Sequence, residues 1–302
     1  MLPNVTPHKP TTLSQTNMRK FLSSVLATFT LLPLAMAPNA AAVDNENVET
    51  TTQQSGPLDN LEYGKDIEYF PEATSTVPVH DTRVAAMWNI GPDGAKPVRD
   101  CTASHLQGPF WITAEHCVPD GGTTMRVLKN HKNEVAGVQT VYTKSYDFDI
   151  ALIKVGSGIT ADSFSLPGAA PQVGDYLNLL GYGASNEFSS LAEVNITQFH
   201  DSIDINGRNT HGVMETRAAG ASRSCGGDSG AAIFKENTLF AVHTAGHYNP
   251  ACHDKEDSPM IHSNSHPHID WINNTIQEYG RSTPQEVDWS DESKKAFMRA
   301  MQ

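Results

Sequence analysis

The sequence predicts an all-β protein with an antiparallel barrel architecture, and three observations support this fold class. Short apolar and β-branched runs recur from Thr82 onward, turn residues separate them, and no long amphipathic helix intervenes before Pro267. Such a series is typical of sandwiches and barrels rather than of alternating strand–helix units. The predicted strands are 83–89, 110–113, 150–155, 176–180, 231–234 and 238–244.

Residues 1–42 precede these strands, and they predict an N-terminal extension followed by an export signal. Residues 18–20 are Met-Arg-Lys, residues 21–37 are mostly apolar, and the alanines 40–42 offer a small-residue cleavage site. A membrane anchor is the alternative, but Pro33 and several serines and threonines interrupt the run, whereas a span needs about 18 or more apolar residues. We therefore expect an exported, secreted protein that has no membrane attachment once the signal is removed.

Residues 43–76 are polar and acidic and show no apolar period, which predicts a linker or a propeptide. The whole chain has 302 residues and a formal charge of −13, and loss of residues 1–42 would remove three basic residues and no acidic ones. An acidic protein of this kind is a poor partner for nucleic acid or for anionic membranes. We expect protein or peptide substrates as its partners and favour a monomer.

Three separated segments carry the residue types of nucleophilic serine chemistry. His116 lies in WITAEHC (111–117), Asp149 lies in DFDIAL (147–152) directly before a predicted strand, and Ser229 lies in SCGGDSG (224–230). A serine hydroxyl is a poor nucleophile at neutral pH. It needs a histidine to accept its proton and a carboxylate to orient that histidine.

In this order, the three segments resemble the chymotrypsin/trypsin family of serine proteases, and specifically its secreted bacterial members. The matching blocks are Thr-Ala-x-His-Cys, Asp-Ile-Ala-Leu and Gly-Asp-Ser-Gly, and the resemblance covers roughly residues 77–280. It implies two six-stranded antiparallel β-barrels, an active site between them and a C-terminal helix. It also implies that Ser229 is the nucleophile, His116 the general base and then acid, and Asp149, rather than the nearby Asp147, the orienting carboxylate.

The resemblance further assigns an oxyanion hole to the backbone N–H groups of Gly227 and Ser229. Glycine tolerates the backbone geometry that such a hole requires. A lipase or esterase would use the same chemistry, but its nucleophile motif is Gly-x-Ser-x-Gly, and here the second residue after Ser229 is Ala231. The chain order His, Asp, Ser is also the reverse of the order in that fold.

An even number of cysteines in an exported protein indicates disulfides, and four cysteines allow three pairings. The family resemblance selects Cys101–Cys117 and Cys225–Cys252. The first would tie a strand to the residue after His116, and the second would brace the nucleophile loop. A metal site at Cys252 and the adjacent histidine lacks a second close pair of ligands.

The sequence departs from the family at its activation segment and at its specificity pocket. No Ile-Val-Gly-Gly segment is present to supply an amino terminus for Asp228, so we expect another amino terminus or another cation there. The pocket floor corresponds to Arg223, where trypsins have an aspartate, and the wall to residues 242–246, including His243 and Gly246. Val-His-Thr in this wall resembles a segment of bacterial glutamyl endopeptidases. We expect a preference for Glu or Asp, unless Arg223 pairs with a carboxylate or Met260 leaves a shallow, apolar pocket.

The C-terminal part predicts a helix over residues 267–276, with proline near its start. Residues 281–302 are charged, and we favour a solvated tail over a short helix there. His262, His266 and His268 are too loosely spaced to favour a metal site, although His262 lies near the predicted pocket.

The sequence thus predicts a secreted serine endopeptidase that acts through an acyl-enzyme on Ser229 and needs no metal or cofactor. The alternative is a protease-like binding protein that has lost catalysis. All three residues of the predicted triad are present, which favours the enzyme.

Overall fold

A computed structural model describes residue 61 and residues 78–90, 96–122, 124–184, 187–247, 258–280, 295 and 297–299. The predicted export signal lies outside the described residues, as do most of the predicted linker and most of the charged tail. The strands and the helix are numbered below in chain order.

Six antiparallel strands in the first half of the fold close into a barrel. Their order around the barrel is β2-β3-β4-β7-β6-β5, so β4 and β7 are neighbours although two strands separate them in the chain. One apolar cluster holds buried residues from every strand of this barrel; most are small or branched, and Met87 and Trp111 are the large unbranched and aromatic members. The strands are β2 (Val84–Ile90), β3 (Val98–Gln107), β4 (Phe110–Thr113), β5 (Met125–Lys129), β6 (Val135–Thr143) and β7 (Ala151–Val155).

The second half forms another antiparallel sheet in the order β1-β9-β10-β13-β12-β11-β8. Because β8 also pairs with β9, six of these strands form a ring, and the short β1 adds to β9 from outside it. The predicted all-β fold of two six-stranded units is confirmed. The strands are β1 (Pro78–Val79), β8 (Tyr176–Gly181), β9 (Ser189–Ile205), β10 (Arg208–Ala218), β11 (Ala232–Lys235), β12 (Thr238–Ala245) and β13 (Met260–Asn264).

Several strands were not predicted because their sequences are polar. Strand β3 carries Thr102 and Ser104, both fully buried, whose hydroxyls bond to backbone oxygens of the second half. Strands β9 and β10 form one long hairpin that turns at Asn206-Gly207, where both residues have positive φ. Charged and polar residues interrupt the apolar alternation along this hairpin, so its sequence gives only a weak strand signal.

The predicted C-terminal helix is present as α1 (Ile269–Gly280), and Pro267 lies in the 3₁₀ turn directly before it. Ile272 and Ile276 pack into the main apolar cluster together with residues of both strand systems. At the helix end, Lys154 Nζ on β7 donates to the carbonyl of Tyr279 over 3.1 Å. The helix therefore follows the second strand system in sequence and also contacts the first barrel.

Two residues outside the predicted protease domain are buried, which corrects part of the expectation for these segments. Leu61, within the predicted polar linker, is 2% exposed and packs in a cluster with residues of β9, β10, β12 and β13. Phe297, within the tail expected to be solvated, is 4% exposed and meets Trp88 edge to face with the ring centroids 6.0 Å apart. At these positions apolar burial overrides the polar character of the surrounding sequence.

The predicted Cys101–Cys117 disulfide is present and joins β3 to the turn that carries His116. A bond of this kind stabilises the fold by about 3 kcal/mol in the chain-entropy model. Cys252 lies outside the described residues, so the second pairing stays a prediction.

None of the helices in the described ranges is long and apolar enough to cross a membrane.

We predict that Phe297→Ala lowers the free energy of unfolding by about 3 kcal/mol, because it removes a buried ring from a cluster with Trp88, Val127 and Val135. Arg299→Ala, in the same segment but exposed, is the matched control and should change stability by less than about 0.5 kcal/mol. Urea unfolding followed by circular dichroism measures both. Equal stabilities for the two variants would mean that the tail is not docked.

Candidate active site

The ends of two paired strands bring His116 and Asp149 together. His116 lies in a 3₁₀ turn (Glu115–Cys117) that follows β4, and Asp149 lies just before β7, to which β4 is paired. The Nδ1 atom of His116 is 2.8 Å from Asp149 Oδ2 and 3.0 Å from Oδ1. The backbone N–H of His116 donates to the same Oδ1 over 2.8 Å. Asp149 thus holds both the ring and the backbone of the histidine.

The charge state of Asp149 follows from these contacts. The carboxylate is fully buried, and burial alone would raise its pKa. The charge and hydrogen bonds of His116, together with the charge of Arg208, outweigh burial and hold the pKa of Asp149 below its usual value. An ionised Asp149 accepts a hydrogen bond from the Nδ1–H of His116, which leaves Nε2 as the proton-accepting nitrogen.

Ser229 lies in the loop before β11, which the first barrel contacts directly. The backbone N–H of Thr102 on β3 donates to the carbonyl of Ser229 over 2.7 Å, and the hydroxyl of Thr102 donates to the carbonyl of Gly227 over 2.9 Å. Ser229 is 1% exposed, and its hydroxyl makes no hydrogen bond within the described part of the chain. Nucleophile–base hydrogen bonds are often loose without substrate and tighten in the complex.

A buried carboxylate next to Ser229 shapes this loop. Asp228 accepts hydrogen bonds from the backbone N–H groups of Gly183 and Cys225, over 2.8 and 2.9 Å. A Cβ atom at Gly183 would lie 2.1 Å from the Asp228 carboxylate, and one at Gly181 would lie 2.3 Å from it. Glycines at 181 and 183 therefore leave the space that the Asp228 carboxylate occupies, which any larger residue would fill.

The electrostatics of Asp228 differ from those of Asp149. Burial raises the pKa of Asp228 to about 6, against the opposing effects of the two backbone donors and of the charge of Arg99. Arg99 is itself buried on β3, and burial lowers its pKa to about 10. In the family, an amino terminus usually pairs with the carboxylate that corresponds to Asp228, and the segment that supplies it is missing from this sequence. Within the described residues, Arg99 is the cation whose charge acts on Asp228.

The loop that carries the predicted oxyanion hole has two unused backbone N–H groups. Gly227 has φ of +96°, a conformation that favours glycine. Neither Gly227 N–H nor Ser229 N–H donates to another residue in the described part of the chain, whereas the N–H groups of Asp228 and Gly230 are both used. Two unused donors that flank Asp228 are what stabilisation of a developing oxyanion requires.

The predicted pocket residues lie on the nucleophile loop and on β12 and β13. Arg223 is 5% exposed, and Gly246, directly after β12, is also buried. Met260 is fully buried, and its sulfur is 3.3 Å from the backbone N–H of Ser224. Ser224 was not among the pocket residues predicted from the sequence, yet its hydroxyl is buried without a hydrogen bond to any described residue. A polar group of that kind is suited to bind a substrate atom.

His243 and His262 form a buried pair beside this pocket. Their Nδ1 atoms are 3.0 Å apart, and Nε2 of His262 is 2.7 Å from the hydroxyl of Thr216. Burial first, and then the charges of His262, His116 and Arg223, lower the pKa of His243 well below its usual value. Burial lowers the pKa of His262 to about 3. Both rings are therefore neutral at physiological pH in the free protein.

Two charged residues that the sequence analysis did not select lie next to the His–Asp pair. Glu115 directly precedes His116, and Arg208 directly follows the Asn206-Gly207 turn of the long hairpin. Arg208 Nη1 is 2.8 Å from Glu115 Oε2 and 3.6 Å from Asp149 Oδ1. The turn dipeptide indicates a hairpin in the sequence, but nothing there indicates that the hairpin reaches Asp149.

The candidate metal ligands fall into separate environments. Cys101, His116 and Cys117 lie close together, but the two sulfurs form a disulfide and provide no thiolate. His262 bonds to Thr216 and His243, as described above. His268 bonds to Lys144 through Nδ1 over 3.1 Å and packs edge to face on Phe148. The backbone N–H of His266 donates to Asn264 Oδ1 over 3.0 Å, so the three histidines noted in the sequence have different neighbours.

Comparison with known proteins gives a consistent result. The family model described as Trypsin matches residues 72–272. The fold is similar to that of the scabies mite inactivated protease paralogue S-I1, with a TM-score of 0.52, 19% identity and coverage of 65% of this chain and 96% of that one. It is also similar to neuropsin, a serine protease expressed in the limbic system of mouse brain, with a TM-score of 0.51, 19% identity and coverage of 66% and 96%.

A third similar structure is that of HBP, with a TM-score of 0.53, 16% identity and coverage of 70% of this chain and 99% of that one. No curated protein sequence matches the chain. At these identities the structural matches establish the fold alone.

We predict that Asp228 makes the protein less stable as pH rises from 4 to 7. The pKa of Asp228 is about 6 in the folded protein and about 4 in an unfolded chain, so the folded state binds more protons between these values. The stabilisation from the protonated form is complete below pH 4 and is lost as pH rises through 6. Its size is on the order of 2–3 kcal/mol.

The measurement compares urea unfolding of Ser229→Ala with that of Ser229→Ala/Asp228→Asn at pH 4 to 7. Both variants share every other titrating group, so the difference between their stabilities isolates Asp228. We expect the difference in the free energy of unfolding between the two variants to change by about 2–3 kcal/mol between pH 4 and pH 7. Curves that stay parallel at all pH values would show that Asp228 has the same pKa in both states.

Proposed function

The chain belongs to the trypsin family, and on that premise we propose that it is a secreted serine endopeptidase that hydrolyses peptide bonds through an acyl-enzyme on Ser229. His116 is the general base and acid, Asp149 orients it, and the N–H groups of Gly227 and Ser229 stabilise the oxyanion. Hydrolysis by these groups needs no metal or cofactor.

The mechanism follows from the proton positions at the His–Asp pair. With Nδ1 of His116 held by Asp149, Nε2 accepts the proton from Ser229 as Oγ attacks the carbonyl carbon. The carbonyl oxygen becomes negative and accepts hydrogen bonds from the two loop N–H groups. The C–N bond then breaks as Nε2 returns the proton to the leaving amine. Water hydrolyses the acyl-enzyme by the same steps, with His116 as base again.

One observation carries the proposal: Nδ1 of His116 lies 2.8 Å from the fully buried carboxylate of Asp149. The turn that carries His116 also contacts the nucleophile loop, through Cys117 and the carbonyl of Ser229. A binding protein without catalysis would have no need to bury an ionised carboxylate behind a histidine, which costs several kcal/mol of desolvation. The disulfide and the N-terminal sequence favour export, with residues 43–76 as a linker or propeptide.

We predict that a fluorophosphonate probe labels Ser229, and that Ser229→Ala abolishes labelling. Asp149→Asn should lower kcat by about 10⁴-fold, because it favours the wrong tautomer of His116. Ser163→Ala, which removes a serine hydroxyl bonded to His105 outside the site, is the control and should keep full labelling.

Mass spectrometry of the full chain, and of a chain without residues 1–76, locates the probe. Absence of label at Ser229 in both forms would favour the non-catalytic binding protein.

We further propose that the enzyme prefers Glu or Asp before the scissile bond. Arg223 gives the pocket a fixed positive charge. Burial first, and then neighbouring charges that include Arg223, lower the pKa of His243, so the two residues act on each other electrostatically. A substrate carboxylate would reverse this effect, accept charge-assisted hydrogen bonds and draw a proton onto His243. Met260 is the competing feature, since it fills the space near Ser224 and could leave a shallow pocket for small apolar side chains.

We predict that profiling with a mixed peptide library shows cleavage after acidic residues, with about ten- to hundredfold selectivity. Arg223→Ala should remove that preference, whereas Arg217→Ala, at a cation paired with Glu215 on β10, should keep it. Cleavage after Lys or Arg in the parent, or an unchanged profile in Arg223→Ala, would show that Arg223 does not set specificity.

A further inference from the structure

Arg208 connects the two strand systems next to the His116–Asp149 pair. It lies at the tip of the β9–β10 hairpin in the second system, yet its guanidinium contacts residues of the first barrel. Nη1 is 2.8 Å from Glu115 Oε2 and 3.6 Å from Asp149 Oδ1. Nη2 donates to the carbonyl of Tyr146, and the guanidinium stacks over the Tyr146 ring at 4.1 Å.

The hairpin is docked at a second point close by. The backbone N–H of His211 donates to the carbonyl of Asp147 over 2.8 Å, two residues before Asp149. The Arg208 side chain and the His211 backbone thus hold the segment that leads into Asp149. Arg208 is 6% exposed and Asp149 is fully buried, so this arrangement is shielded from solvent.

The charges around this contact need balancing. A lone cation at Asp149 Oδ1 would compete with His116 for the carboxylate and would disfavour the protonated imidazole that forms during catalysis. Glu115 supplies the compensating negative charge at Nη1 of Arg208, the same atom that lies near Asp149. Burial raises the pKa of Glu115, and the charge of Arg208 opposes that rise.

From these contacts we infer that Arg208 is a positioning residue for the Asp149–His116 pair, and that Glu115 neutralises Arg208 so that Asp149 stays available to His116. This inference rests on the proposed function. In this inference, the β9–β10 hairpin of the second strand system holds Asp149 and His116 of the first barrel in position. The inferred role does not require either residue to touch the substrate.

The test measures protonation of His116 directly, so that it does not depend on activity. His116 interacts electrostatically with Asp149, Glu115 and His243. Arg208 acts on Asp149 and Glu115, and Arg223 acts on His243. In full-length protein with Ser229→Ala and ¹³C-labelled histidine rings, the Cε1–H resonance of His116 is followed against pH. It is assigned by its absence in His116→Gln.

Glu115→Gln removes one negative charge and leaves Arg208 uncompensated. We expect the midpoint of the His116 titration to move to lower pH by about 0.5–1 pH unit. Glu115→Gln/Arg208→Gln removes both charges while keeping similar side-chain volumes, and we expect its midpoint to return to that of the parent. A merely structural contact would leave all three midpoints equal. Equal midpoints would overturn the inference.

Kinetics with Ser229 intact test the positioning itself. Arg208→Lys keeps the charge but loses the forked contact with Glu115, Asp149 and Tyr146, so kcat should fall about tenfold or more with little change in KM. The acid limb of the kcat/KM profile should not move in Arg208→Lys and should move to lower pH in Glu115→Gln. Arg217→Gln, near the far end of β10, is the matched control and should match the parent in both respects.

The outcomes separate this inference from the proposed function. If Ser229 is never labelled, the proposed function fails, while the His116 titrations still decide whether Arg208 and Glu115 act on the pair. If the parent is active but Arg208→Lys has the kcat of the parent, the positioning role is wrong and the proposed function stands.

Discussion

The hydrogen bonds of Thr102 connect the two strand systems at the nucleophile, and the geometry of the site depends on them. Its backbone N–H and its hydroxyl hold the carbonyls of Ser229 and Gly227, one on each side of Asp228. The same hydroxyl accepts the backbone N–H of Tyr182 over 3.0 Å. Each polar group of this fully buried residue is therefore satisfied, which is what makes a threonine acceptable in the core. One strand of the first barrel thus fixes the nucleophile loop of the second.

The opposite side of the loop is held by Asp228, and the two anchors together leave the loop little freedom. Backbone donors from Gly183 and Cys225 reach both carboxylate oxygens. With Thr102 on one side and Asp228 on the other, the carbonyls of the loop are used and the N–H groups of Gly227 and Ser229 remain available. The two N–H groups of the proposed oxyanion hole are thus left unused by the contacts that fix the loop.

Contacts across the two strand systems recur at each part of the site. The nucleophile loop meets β3 and the Cys101–Cys117 disulfide, the β9–β10 hairpin meets the segment before Asp149, and helix α1 meets β7. The positive and titratable side chains at the site, Arg208, Arg223 and His243, are all buried within an otherwise acidic protein. Low-dielectric surroundings strengthen the effect of each of these charges on its neighbours. The acidic net charge of the chain is thus no guide to the local field at the site.

The sequence by itself determined the fold class, the closing helix and the identity of the candidate dyad and nucleophile. The fold class and the helix follow from the spacing of apolar residues over short stretches of sequence. The dyad and the nucleophile follow from the residue types that serine chemistry needs. Strands β3 and β9 escaped prediction because their buried faces include polar residues such as Thr102, which only a partner in the other barrel satisfies. The burial of Phe297 and the contact of Arg208 with Asp149 were decided by the tertiary structure alone. Both join residues far apart in the chain, and their partners are set by how the barrels, the hairpin and the tail pack.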